Sequence, residues 1–475
     1  MTDFSSHPAF EPAPYKLDPE ILREYDIRGT VDKNFRPDDA FAVGCAFGTM
    51  IRRRGGTRAC VGYDGRASSP ALAEAMIAGL VATGLMVENI GLGPSPMLDF
   101  ALKDRMADGG VMITGSHNPP SYNGFKLTYQ SGPLYGDAIQ DVGRIAAAGD
   151  FASGAGGVQT IDVRGAYVDR LLRDFDGRPD LKIAWDCGNG ATGEIVRRLT
   201  ARLPGTHILL FDEIDGTFPN HHPDPNVDAN LADLIRTVRE EGCDLGVAFD
   251  GDGDRIGAVD EQGTIIRCDT LIAVYAAEIL DEYPGATIIG DVKCSQVMYD
   301  EIARLGGRPL MGKTGRSLIK AQMIAEKAPL AGEFSGHIFF ADKWHGADDG
   351  IYCAIRLLNV VSDHDGPASS LTAHLPRTCH TPEVRFEVDE SEKFGLIDKV
   401  VAAMKARESG DLSVGDVDGA RVATPDGWWL LRASNTQNAL TTRVEATTSE
   451  GLGRLKAMLM AEVKKLGYDV TFPDH

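Results

Sequence analysis

The chain is short of positive charge. Its 48 lysines and arginines face 69 aspartates and glutamates, a formal net charge of −21 over 475 residues. That balance argues against a nucleic-acid partner. A phosphorylated substrate would need local basic clusters to offset the global field. Cysteine is sparse and unpatterned. The eight residues form no Cys-x-x-Cys pair, so neither zinc nor disulfides are suggested, and a reducing cytoplasm fits. No apolar stretch is long enough to span a bilayer, so no membrane association is expected. The first residues carry acids and prolines (Asp3, Pro8, Pro12, Pro14) where a signal peptide needs an apolar region.

What the chain does have is core-forming material. Its 43% hydrophobic and 25% charged content are those of a globular protein with about three or four domains. The most telling stretch is 243–260, with Asp250, Asp252 and Asp254 at alternate positions between two apolar runs. This reads as strand, tight loop, strand, with Gly251 and Gly253 letting the carboxylates converge. Three carboxylates together require a cation, and oxygen-only ligands favour Mg²⁺ or Mn²⁺. An exposed turn needs only one aspartate. An EF-hand needs glycine where Arg255 stands, and helices where these flanks read as strands.

The same local pattern occurs three times. An apolar strand ends near an aspartate (Asp64, Asp186, Asp291), then a small-residue loop opens a helix. Each copy has a second strand ending in a polar loop. These loops are Thr114–Pro119, the aspartate loop, and Gly332–His337. The spacing predicts three duplicated α/β domains whose strand-end loops face one cleft. Residues 1–20 read as a loose leader. The stretch 23–30 reads as polar and ending in a turn, where Arg28 suits an anion, although a surface arginine accounts for it alone. Past about residue 376 a smaller α+β domain is expected, with a strand at 384–388 and helices near 391–406 and 449–466. Its loop Arg432-Ala433-Ser434-Asn435-Thr436 reads equally as a phosphate cradle or a hairpin turn.

Two motifs invite other chemistry. Gly188-Asn-Gly190-Ala-Thr-Gly193 follows a strand, with Asp212 beyond it, as in an NAD-dependent dehydrogenase. The other two copies lack these glycines, and helix–strand packing explains them. Ser116 stands beside His117, but without the Gly-x-Ser-x-Gly elbow of a hydrolase. Adjacent residues are not expected to form a nucleophile–base hydrogen bond. A serine carrying a phosphoryl group needs only exposure, backbone donors and a nearby cation.

Taken together, Thr114–Pro119, Asn123-Gly-Phe-Lys126, Asp250–Arg255, Gly332–His337 and Arg432–Thr436 resemble the α-D-phosphohexomutase family, most closely its phosphomannomutase/phosphoglucomutase branch. The resemblance implies four domains around a deep cleft. They are 1–157 with the phosphoserine, 158–264 with the metal, 265–376 for sugar recognition and 377–475 for phosphate binding. It implies Ser116 as phosphoserine and a further metal ligand, with Asp250, Asp252 and Asp254 holding Mg²⁺. It implies Glu333 and Ser335 on the sugar hydroxyls, and Arg432, Ser434, Asn435 and Thr436 on the distal phosphate. Tyr25, Arg28, Lys126, Arg255, Lys293 and His337 would line the cleft, with Lys126 and His337 as candidates for proton transfer. The chain departs from the family at Arg316, where histidine is common. Arginine cannot act as a base and is expected to contact phosphate. Gln437-Asn438 departs where proline is frequent. The implied activity interconverts hexose 1- and 6-phosphates of mannose and of glucose through a hexose 1,6-bisphosphate, in a monomer or homodimer. A phosphoglucosamine mutase is the alternative within the family, although Ser434-Asn435-Thr436 argues against it.

Overall fold

The computed structural model describes residues 12–389, 391–435 and 438–472. Three of its four sheets share one core. In the first, the antiparallel strand Tyr122–Tyr129 is followed across the sheet by parallel strands Gly109–Ile113, Arg58–Tyr63 and Met86–Leu92. In the second the equivalents are Ile256–Asp260, Leu245–Phe249, Lys182–Asp186 and Thr206–Leu210. In the third they are Ile338–Phe340, Leu330–Gly332, Thr287–Asp291 and Arg308–Gly312. The repeat extends to single bonds. At the end of the central strand of each copy an aspartate Oδ1 accepts the backbone N–H two residues on: Asp64 from Arg66 at 3.1 Å, Asp186 from Gly188 at 2.9 Å, Asp291 from Lys293 at 3.2 Å. A short acceptor side chain turns the backbone without help from the ladder, so each strand delivers its loop to the same edge.

Strand pairing carries two units slightly past the expected boundaries at 157 and 264. Gly157–Thr160 joins the first sheet beside Met86–Asn89, and Ile265–Ile266 joins the second. The stretch 23–30 is more ordered than its polarity suggests. Ile27–Thr30 is an edge strand, antiparallel to Tyr122–Phe125, which fixes Arg28 above the serine loop. The leader is docked over its described part. Leu17 and Ile21 are buried, and Tyr15 donates its hydroxyl to Asp39 at 3.0 Å.

The last sheet is antiparallel, built on Gly427–Ala433 and Ala439–Ala446. Alternation assigns its faces. Trp429 and Leu431 pack under the helices Lys393–Lys405 and Ser449–Lys465, while Trp428 and Leu430 meet Val292 of the third domain. Arg443 lies 4.0 Å from the centre of the Phe334 ring, and Glu445 accepts bonds from Ser295 and the Gln296 N–H. A charged, fully packed seam thus ties the fourth domain to the third. All eight cysteines are free. Among the described residues no helix is long and apolar enough to cross a membrane.

Candidate active site

The Ser116 loop is set by a left-handed residue and by one arginine. Ser116 has φ of +50°, in the region non-glycine residues seldom occupy. Arg66, with a side chain 1% exposed, spans the loop. It meets the carbonyls of Ser116 (2.8 Å), Asn118 (2.5 Å), Pro119 (2.6 Å) and Tyr122 (2.9 Å), and the Asp64 carboxylate at 3.1 Å. The structure corrects the expectation for the serine–histidine pair. Ser116 Oγ lies 3.2 Å from its neighbour's Nδ1. Burial first, then the Arg255 and Arg28 charges, hold His117 well below its ordinary pKa, so its ring is neutral.

Ser116 Oγ donates to Asp250 Oδ2 at 2.7 Å, across the domain boundary. The approach needs both loop glycines. Gly253 has φ of +76°, and a Cβ on Gly251 would fall 2.4 Å from the Ser116 carbonyl oxygen. Asp250, Asp252 and Asp254 can present oxygens within 4.8 Å of one another, all fully buried. Lys126 Nζ answers part of this charge, at 2.6 Å from Asp252 and 2.5 Å from Asp254. Burial works against the ammonium, and these two carboxylates outweigh it and raise its pKa. Burial and the Asp252 and Asp254 charges push Asp250 upward. Burial opposes ionisation of Asp252 as well, but Lys126 and the Ser95 hydroxyl overcome it and lower its pKa. Asp252 Oδ1 and Asp254 Oδ1 are buried without a hydrogen-bond partner. A hard divalent cation fits this donor set: three carboxylates, two orphaned oxygens and an ammonium already drawn to them.

The third domain adds a second ring of charge. His337 Nε2 accepts from Arg255 Nε at 3.0 Å, so the ring proton sits on Nδ1. That nitrogen lies 2.9 Å from Asp348 and 3.4 Å from Asp254. Arg316 is gripped by Asp348 at 2.9 Å and stands 3.8 Å from Asp254. Its Nε and Nη2 thus face the Asp348 carboxylate, which sits fully buried opposite them. Burial resists the charge on Asp348, and Arg316 and His337 overcome it. Glu333 accepts the Gly315 N–H at 2.5 Å, which fixes the loop before Arg316, and burial is the main cause that raises its pKa. The carbonyl of Ser335 accepts from Asn226.

Most of the remaining expected residues gather at the fourth domain. Tyr25 donates to the Thr314 carbonyl at 2.8 Å and receives the Asn435 amide, so it touches the third and fourth domains at once. Arg432 is held by Asp418 at 2.9 Å, and the same carboxylate takes the Thr314 N–H at 3.0 Å. Lys293 Nζ lies 3.3 Å from Glu383. Arg28 reaches Asn118 at 2.9 Å in the serine loop. The Ser434 N–H bonds the Ala439 carbonyl at 2.9 Å, closing the hairpin that carries the loop. Thr436 lies outside the described residues.

The four matching models are those of phosphoglucomutase/phosphomannomutase: domain I over 19–153, domain II over 165–263, domain III over 267–379 and the C-terminal domain over 383–462. The chain belongs to the phosphoglucomutase/phosphomannomutase family. Within that family it is 42% identical to the phosphomannomutase/phosphoglucomutase of Pseudomonas aeruginosa, over 96% of this chain and 98% of that one. A crystal structure of a family protein from Burkholderia thailandensis superposes with a TM-score of 0.90 at 40% identity, covering 96% of this chain and all of the other. A probable phosphoglucosamine mutase of Pyrococcus horikoshii is more distant, at 30% identity over 94% of this chain and 98% of its own. Nothing supports the dehydrogenase reading. A Cβ on Gly193 would lie 2.0 Å from the Asp212 carbonyl oxygen, so that glycine serves packing, and the Asp212 carboxylate is paired with Arg197.

Sequence reasoning missed four side chains. Arg66, Ser95, Asp348 and Asp418 each act on residues far away in the chain, and no local spacing marks them. Ser95, first residue of the helix Ser95–Asp104, places its hydroxyl and its N–H on Asp252.

Proposed function

We propose that the protein is a phosphomannomutase/phosphoglucomutase, an isomerase that interconverts hexose 1-phosphates and 6-phosphates. Phosphoserine 116 gives its phosphoryl group to the free hydroxyl of the sugar phosphate, forming a hexose 1,6-bisphosphate. After the sugar turns over, Ser116 Oγ takes the other phosphoryl group and leaves the isomeric monophosphate. The observation that carries this reading is the Ser116 Oγ on a buried three-carboxylate cluster, 2.7 Å from Asp250. Asp250, Asp252 and Asp254 would hold Mg²⁺ with a phosphoserine oxygen, and a bound Mg²⁺ supplies charge stabilisation to the transferring phosphoryl group.

The chain's own residues do the rest. Lys126 holds a proton that it can give to a sugar oxygen, and His337 is the second candidate for proton transfer. Arg28 and Arg255 bring positive charge to the Ser116 loop, which offsets the −21 of the whole chain locally, and Arg316 would contact phosphate. Glu333 and Ser335 would read the sugar, and Tyr25, Lys293, Arg432, Ser434, Asn435 and Thr436 the distal phosphate. The four sheets would correspond to phosphoserine, metal, sugar and phosphate domains. Free cysteines throughout support a cytoplasmic setting. The test is a mutase assay with mannose 1-phosphate and glucose 1-phosphate side by side. Turnover of both supports the reading. Turnover of glucosamine 1-phosphate alone would refute it in favour of the related branch.

A further inference from the structure

A cavity of about 590 Å³ lies between the first and third domains, away from Ser116 and the aspartates. Small-molecule sites usually measure ~300–1,000 Å³. Its walls include Leu102, Met323, Ile324 and Pro329, and the polar residues Gln130 and Ser131 stand on one side. The charge on these walls is not balanced. Asp342 is taken by Arg356 at 2.8 Å, and Asp99 by Lys320 at 3.3 Å. Lys103 and Lys327 also line the cavity, and among the described residues neither has a carboxylate within ion-pair distance. His345, on the same wall, has a buried Nε2 without a hydrogen-bond partner. Burial first, then the charges of Arg170 and Lys103, hold its pKa down. Two unpaired lysines on an apolar hollow, in a strongly acidic chain, fit an anion with an apolar body.

The walls also lead to the reaction site. The helix Ser95–Asp104 lines the cavity with Asp99, Leu102 and Lys103, and its first residue bonds Asp252. The helix Arg316–Glu326 lines it with Lys320, Met323 and Ile324, and its first residue is gripped by Asp348. The segment 341–347 runs directly into Asp348. Asp99 and Lys320 further line a small gap whose other walls include Ser95, Lys126 and Arg316. Three elements therefore have one end in the cavity and the other in the catalytic cluster.

We propose that this cavity is a second, regulatory binding site for a small organic anion with an apolar body. Occupancy bears on the catalytic cluster by shifting the two helices and the 341–347 segment together. The regulatory half rests on the mutase reading, and the binding half does not. A suitable probe is 8-anilino-1-naphthalenesulfonate, followed by fluorescence on the full-length protein. One equivalent should bind. The double variant Lys103→Glu/Lys327→Asn should weaken it roughly tenfold or more, since two cations at the wall are lost. Both side chains are on the surface, and asparagine suits the left-handed backbone of residue 327, with φ of +53°. Uncharged N-phenyl-1-naphthylamine should bind at least about tenfold more weakly than the sulfonate. Unchanged affinity in the double variant, or equal binding of the neutral compound, overturns the site.

Rising glucose 1-phosphate should shift the probe's affinity to a plateau, and the probe should shift the Kd for glucose 1-phosphate by the same factor. Unlimited competition would place the probe in the substrate cleft and overturn the proposal. Binding without any change in KM or kcat overturns its regulatory half. A protein that binds the probe as described and turns over no hexose phosphate would instead refute the mutase reading.

Discussion

Arg66→Met tests whether the serine loop is held from beneath. The substitution keeps an unbranched, flexible apolar stem and removes five hydrogen bonds, four to backbone carbonyls and one to Asp64. At about 1.5–3 kcal/mol for each bond to a charged group, the gross loss would exceed 7 kcal/mol. The net figure is smaller. Pro119 is exposed and Asn118 half-exposed, so their carbonyls can turn to water. Ser116 and Asp64 are buried and cannot. Loss of one partner of a buried ion pair typically costs ~3–5 kcal/mol, and that range is the expectation here. Because four domains need not unfold together, the measurement is hydrogen exchange over residues 114–122 rather than one melting temperature. Exchange there should rise well above that of the third domain. Turnover should fall by roughly a hundredfold, the scale set by about 1 Å of misplacement at a reacting atom. Normal protection of the loop in Arg66→Met would refute the reasoning.

Asp252→Asn should weaken Mg²⁺ binding by removing one charge from the donor set. In the parent, saturating Mg²⁺ should raise thermal stability by about 2–3 kcal/mol near a hundredfold excess over Kd, and chelation should reverse this. An equal Mg²⁺ response in parent and variant would refute the metal assignment. Asp348→Asn should lower kcat by roughly tenfold or more and displace its pH profile with little change in KM, because Arg316 and His337 lose their shared anchor. An unmoved profile would mean that Asp348 is only structural. Asp349, which caps the helix Gly350–Asp363 and accepts from Tyr167 at 2.7 Å, is pushed up from 3.8 to about 7, chiefly by burial. Its folded form binds the proton more tightly than the unfolded chain. Its stabilising contribution is therefore complete below about pH 4 and is lost as pH rises through about 7, at most about 4 kcal/mol. Asp349→Asn should flatten the fall in stability between pH 5 and 8, and an unchanged slope would refute this.

The parts of the site that were legible in the sequence are those written locally. Three aspartates at alternate positions need only a tight turn to converge, and the three strand–aspartate–loop copies repeat down to the same i+2 hydrogen bond. The Ser116–His117 contact was not legible, and no residue type at position 116 announces its positive φ. Arg28 was read into a turn because its polar neighbours hide an edge strand, whose pairing with Tyr122–Phe125 is non-local. Arg66 and Asp348 were invisible for the same reason. Each serves groups brought near only by the folding of its own domain, Arg66 the Ser116–Tyr122 loop and Asp348 the Arg316 and His337 side chains. Arg316, expected at a phosphate, has two carboxylates within reach that the third domain and the aspartate loop deliver.

The proposed mechanism turns on Ser116 as the carrier of the phosphoryl group. Intact mass and peptide mapping after incubation with glucose 1,6-bisphosphate test it most directly. One added phosphate should be found, located on Ser116, discharged to glucose 1-phosphate within a turnover, and absent from Ser116→Ala together with activity. Phosphate found on another residue, or full turnover by Ser116→Ala, would contradict it.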